Sequence, residues 1–155
     1  RTPVVLKLPQ GRQTLGVDAT SVSQIDVLPT ICDILEIAPP EGLPGRSWMT
    51  PGAHTARDVF LQYDGNGSLG NFSRAVIRGR DKLMVDIFKN EIFFELYRLE
   101  ADPQEEHNRI AVEPALARDL LAALVAHMQQ TGDHLSLSQA DLDHFIAERG
   151  AARAL

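Results

Sequence analysis

The chain has 155 residues, 15 Lys and Arg against 21 Asp and Glu, a formal net charge of −6, and 44% hydrophobic residues. The acidic balance excludes the basic footprint a nucleic-acid partner calls for, and no apolar run approaches the roughly 18 residues of a membrane span. Nine Pro and eleven Gly are too few for a disordered or collagen-like chain.

At this length one domain, alone or with a small appendage, can bury a full core. The single Cys32 leaves no internal disulfide and no CxxC metal knuckle. It fits a reducing compartment, so the cytoplasm is the expected location ahead of the periplasm. The chain opens on Arg1 with no charged segment followed by an apolar one, and reads as a piece of a longer polypeptide.

Residues 3–9 are β-branched and apolar between two prolines and read as a short, partly buried strand. Residues 10–20 read as a loop. Ile25, Leu28, Cys32 and Leu35 then recur on one helical face. Ser23 or Asp26 caps that helix, its regular part starts near Pro29, and Pro39-Pro40 ends it. Residues 38–57 form an irregular connection. Strands are expected over 58–64, 73–80, 82–88 and 92–99, the middle two as one long strand or a hairpin around Gly79-Arg80-Asp81. Their close succession predicts an antiparallel meander. After a polar connector, Leu116, Leu120, Leu124 and Met128 step by four, with Leu121 and Val125 alongside, and predict a helix over 113–130. Ser138 to Asp141 resembles a capping box ahead of a last helix to about Arg149.

Chemistry is sparse. Gly65-Asn66-Gly67-Ser68-Leu69-Gly70 matches a dinucleotide fingerprint by letter, but a strand pattern follows where the mechanism needs a helix N-terminus. The five His show no zinc-ligand spacing, and no G-x-S-x-G elbow presents a nucleophile. Asp141 and His144 share a helix face and read as solvated. Cys32 reads as a small core residue.

Four segments in order resemble the C-terminal third of type I sulfatases. Val22-Ser23-Gln24-Ile25-Asp26-Val27-Leu28-Pro29-Thr30 through Leu35 is similar to that family's V-S-x-x-D-L-x-P-T helix, and Gly45-Arg46-Ser47 to the tripeptide that follows it. Arg74 to Leu83, with Lys82, resembles the R-A-V-R-x-G-x-x-K-L strand pair. Glu95-Leu96-Tyr97 through Asp102-Pro103, Glu105 and Asn108 resembles E-L-Y-D-L-x-x-D-P-x-E-x-x-N, with Arg98 in place of the usual Asp. The opening strand resembles the one that precedes the helix.

The resemblance covers residues 2 to about 110. It implies a parent hydrolase that cleaves sulfate esters with a calcium ion and a formylglycine. The motifs for that chemistry do not occur in this chain: Cys32 lacks the Pro, Ser and Arg of the modified motif, and Lys7 lies within the strand.

The expectation is an α+β fold. A small antiparallel sheet of about four strands packs with a long C-terminal helix, preceded by a strand and helix from the edge of the parent α/β domain. Residues 1–50 are the tail of that catalytic domain and 51–155 a C-terminal subdomain. Neither catalytic nor metal-binding residues are expected. Gln62, Tyr63, Asp64 and Asn66 are candidates for the rim of the substrate pocket. Asp26, Pro29 and Thr30 read as a cap and helix start; Glu95, Tyr97, Asp102 and Asn108 as turn and packing positions; Arg74 and Lys82 as strand-surface ion pairs. The implied partner is an N-terminal catalytic domain. The alternatives are a parent acting on phosphonate monoesters or phosphodiesters, and an interaction module whose helices 113–130 and 138–149 make homo-oligomers.

Overall fold

In the computed structural model, which describes residues 4–8, 21–50, 57–65, 70–89 and 91–152, the chain divides into two units, residues 1–55 and 56–155. In the first unit a 3₁₀ turn over Gln24–Asp26 leads into α1, Val27–Ile34. The Ser23 N–H donates to Asp26 Oδ2 at 3.0 Å, which satisfies one of the donors a helix start leaves open. Pro29 is the third residue of α1, within the first turn, where its missing N–H costs no bond.

The helix ends at Ile34, five residues before Pro39 and not at it. Glu36 takes a left-handed φ of 58°, its N–H donates to the Asp33 carbonyl, and the Ile37 N–H donates to the Cys32 carbonyl at 3.0 Å. This pair of bonds closes the helix without a glycine. Of the four residues expected on the buried face only Cys32 is buried; Ile25, Leu28 and Leu35 are 49%, 47% and 61% exposed. The buried side is instead Asp26, Pro29, Thr30 and Cys32. The opening strand is also corrected. Residues 4–8 carry no strand structure, and Val5 is 91% exposed. The sheet among the described residues is built from residues 59–98.

That sheet is a meander, β1 Val59–Tyr63, β2 Asn71–Arg78, β3 Asp81–Phe88 and β4 Glu91–Arg98, with neighbours antiparallel throughout. Gly79 and Arg80 make the two-residue turn between β2 and β3, and the φ of 59° at Gly79 is one that a side chain disfavours. The register places Phe60, Val76, Leu83 and Leu96 in one row across the sheet, and Gln62, Arg74, Val85 and Phe94 in the next row on the same face.

Two helices cover this face. α2, Pro114–Thr131, starts on a proline and ends on Gly132 in the left-handed conformation. It buries Ala117, Leu120, Leu121, Leu124 and Met128 against Val76, Leu83, Val85, Phe94 and Leu96. α3, Gln139–Ala152, adds Leu142 and Phe145. Each such leucine or phenylalanine contributes about 1.5–3 kcal/mol through removal of apolar surface from water. The Ser138 N–H and Oγ both meet Asp141 Oδ2, at 2.8 and 2.7 Å, and cap α3. His127 lies at the edge of the α2 stripe, its ring stacked 3.9 Å from that of Phe60. The architecture is α+β: a four-stranded antiparallel sheet under a long C-terminal helix.

Candidate functional site

The motif residues of the first unit converge on Asp26, which is fully buried. Asp26 Oδ2 takes the Ser23 N–H, and its Oδ1 accepts from the Arg46 N–H at 2.9 Å. The Thr30 hydroxyl donates to the Asp26 carbonyl at 2.6 Å and accepts from the Trp48 N–H at 2.9 Å. The Ser47 hydroxyl donates to Asp33 at 2.5 Å. A Cβ on Gly45 would lie 1.9 Å from the Ile25 carbonyl oxygen, so the strand of chain passing there must be glycine. Asp26, Thr30, Gly45, Arg46 and Ser47 thus form one hook that fastens the 45–48 segment onto α1.

In the second unit Asn108 plays the equivalent part. Its Oδ1 accepts from the N–H groups of Leu96 and Ile110, at 3.1 and 2.9 Å, and its Nδ2 donates to the Phe94 carbonyl at 3.0 Å. One side chain therefore occupies backbone groups along the outer edge of β4. Asp102 accepts from the N–H groups of Glu106 and His107, and these bonds hold its carboxyl below the usual range. Lys82 pairs with Glu105 at 2.6 Å. Tyr97 is buried and lies on the same sheet face as Glu95; burial, then the Glu95 carboxylate, push its hydroxyl up to about 12.

The open end of β1 carries the rim candidates. Gln62 and Asp64 fall on the helix-covered face, where the Gln62 amide donates to Asp64 Oδ2 at 2.7 Å. That bond and the neighbouring guanidinium of Arg74 hold the Asp64 carboxyl below its ordinary value. Tyr63 points to the opposite face, 51% exposed, across from Ser73, whose hydroxyl meets Asp86. Asn66 lies outside the described residues. The structure brings two of the four together and separates the third.

Arg74 is not a surface residue. It stands in the same cross-sheet row as Val85 and Phe94 and is 2% exposed. Its Nε and Nη2 fork onto Asp133 at 2.5 and 2.9 Å, and Nη2 also meets Asp64 Oδ1 at 2.7 Å. Nη1 donates to the carbonyls of Tyr63 and Ser73 at 3.2 and 2.9 Å. All five donors of the guanidinium are used. Burial works against the charge, but the two carboxylates outweigh it and the guanidinium's affinity for its proton is raised. Asp133 escapes a reading by motif: it lies 59 residues from Arg74 in the connection from α2 to α3, and no local pattern joins them. The Gly132 helix stop is the only signal near it.

Among the described residues no three His, Cys, Asp or Glu side chains converge into a cage for a cation. Asp64 and Asp133 are committed to Arg74. The described residues do not fit a calcium ion, and Cys32, buried in α1 and followed by Asp33-Ile34-Leu35, does not fit a formylglycine. Among the described residues no helix is long and apolar enough to cross a membrane.

The family model for the C-terminal part of N-sulphoglucosamine sulphohydrolase matches residues 1–133. An uncharacterized sulfatase of Escherichia coli K12, YidJ, is 34% identical over 116 residues, which cover 71% of this chain and 22% of that protein. A putative sulfatase from Bacteroides thetaiotaomicron superposes with a TM-score of 0.61 at 20% identity, over 76% of this chain and 28% of that one. BT1596, a 2-O GAG sulfatase, superposes with a TM-score of 0.57 at 23% identity, over 73% of this chain and 26% of that one. This chain therefore spans about a quarter of the length of the proteins it matches.

Proposed function

The chain belongs to the N-sulphoglucosamine sulphohydrolase C-terminal family and is a sulfatase C-terminal domain, and from that premise we propose that it walls the substrate cleft of a larger sulfuric ester hydrolase and makes or breaks no bond itself. The match over residues 1–133 carries this reading. Calcium and formylglycine belong, in this reading, to the portion of the polypeptide upstream, and no step of the chemistry runs through the residues described above.

The contribution of this chain is shape and charge at the rim. A water-poor cleft strengthens every electrostatic contact that stabilises the reacting centre, so a wall acts on rate without touching the bond. Asp64 is held ionised, and its neighbour Gln62 offers an amide. A carboxylate repels a sulfate, so this pair addresses the uncharged, hydroxyl-bearing part of an ester. In the polypeptide with its upstream sequence, Gln62→Ala and Asp64→Ala are expected to raise KM for a sulfate ester about 3- to 30-fold, with kcat within twofold, the pattern of lost uniform binding. Steady-state kinetics on both variants tests this. An unchanged KM for both would remove them from the rim.

A further inference from the structure

We propose that Arg74 is a positioning residue that sets the orientation of the rim. This proposal rests on the cleft-wall reading for what the rim does, but its geometry stands independently. The β1–β2 connection leaves the sheet at Tyr63 and returns at Asn71. A connection of this kind is ordinarily the loosest part of a hairpin. Here one guanidinium holds both of its ends. Its Nη1 takes the Tyr63 carbonyl on the outgoing side and the Ser73 carbonyl on the returning side, and its Nη2 holds the Asp64 carboxylate.

The fork onto Asp133 then fixes the guanidinium itself to a second element. Asp133 is 3% exposed, and its Oδ1 also accepts from the Leu135 N–H at 3.0 Å, so its carboxylate is immobilised by the backbone that follows α2. The chain of contacts is continuous from the α2–α3 connection through Asp133 and Arg74 to Asp64 and Gln62. A planar five-donor group is needed for this. Lysine supplies the charge but cannot reach two carboxylates and two carbonyls at once. The rim pair is therefore preset before any ligand arrives, which lowers the ordering cost of binding.

Backbone hydrogen exchange on the 155-residue chain tests the proposal. In Arg74→Lys, amides at Asp64–Gly65 and Gly70–Ser73 are expected to exchange at least about 10-fold faster, while those of β3 and α2 change less than about twofold. Arg74→Lys keeps the charge; a paired Arg74→Met, Asp133→Leu variant removes both charges and keeps the site apolar, so a fold intact in either one suffices for the measurement. Faster exchange spread evenly over the sheet would mean a merely structural ion pair and would overturn the proposal, as would unchanged exchange at the two ends. The kinetics of Arg74→Lys in the longer polypeptide separate the two readings. Local loosening with unchanged KM leaves the positioning intact and removes the rim.

Discussion

Asp133 carries the largest single-residue stake in the second unit. It is a buried carboxylate whose partner is a buried guanidinium, and loss of one member of such a pair leaves the other charge uncompensated. Asp133→Asn is expected to cost about 3–5 kcal/mol in urea unfolding at neutral pH. The pH dependence follows from the direction of its shift. The Arg74 bonds hold the folded carboxyl below its ordinary value, so between that folded value and about 3.9 the unfolded chain binds the extra proton. The stabilisation is complete above about pH 4 and is lost as pH falls through the folded value. The gap between wild type and Asp133→Asn should therefore shrink below pH 4, and a gap that widens in acid would contradict the assignment. From the sequence, Arg74 looks like one more charged residue on a strand. Only the register, which sets it in a row with Val85 and Phe94, shows that it points inward.

At the scale of elements, α2 was legible because its apolar residues step by four up to the Gly132 stop, and α3 from its Ser138–Asp141 cap; the choice between one long strand and a hairpin over 73–88 is settled by the turn at Gly79-Arg80. The misread elements have particular causes. The apolar run at 4–8 has β-like composition but is not part of a strand. The end of α1 at Ile34 was hidden because a non-glycine residue, Glu36, adopts the left-handed turn that follows it, and Pro39 is the louder signal. The apolar stripe of α1 was real as a pattern, yet the buried side is the polar hook of Asp26 and Thr30. Asn108 belongs to this scale too, since it finishes β4 as a fifth strand would. Asn108→Ala removes two hydrogen bonds from the β4 edge and one from the Ile110 N–H, and is expected to cost about 1–3 kcal/mol, read as a lower midpoint in urea with an unchanged slope. A midpoint equal to wild type would show that water replaces the side chain along that edge.

At the scale of the whole molecule, the described residues are rich in fastening contacts. Charges of the second unit are spent on each other: Arg74 on Asp64 and Asp133, Arg78 on Asp58 and Asp119, Lys82 on Glu105. The family resemblance was legible because Asp26, Thr30, Gly45, Arg74, Lys82, Glu105 and Asn108 stand along the chain within segments of fixed order. Tyr63 and Asp64 are adjacent in sequence but fall on opposite faces of the sheet, so the run 62–64 does not present one surface. Hydrolysis of a chromogenic aryl sulfate, measured for the 155-residue chain alone and for the polypeptide that includes its upstream sequence, decides the central claim. Turnover is expected only from the longer polypeptide. Release of the chromophore by the 155-residue chain above a boiled control, with or without added calcium, would contradict it.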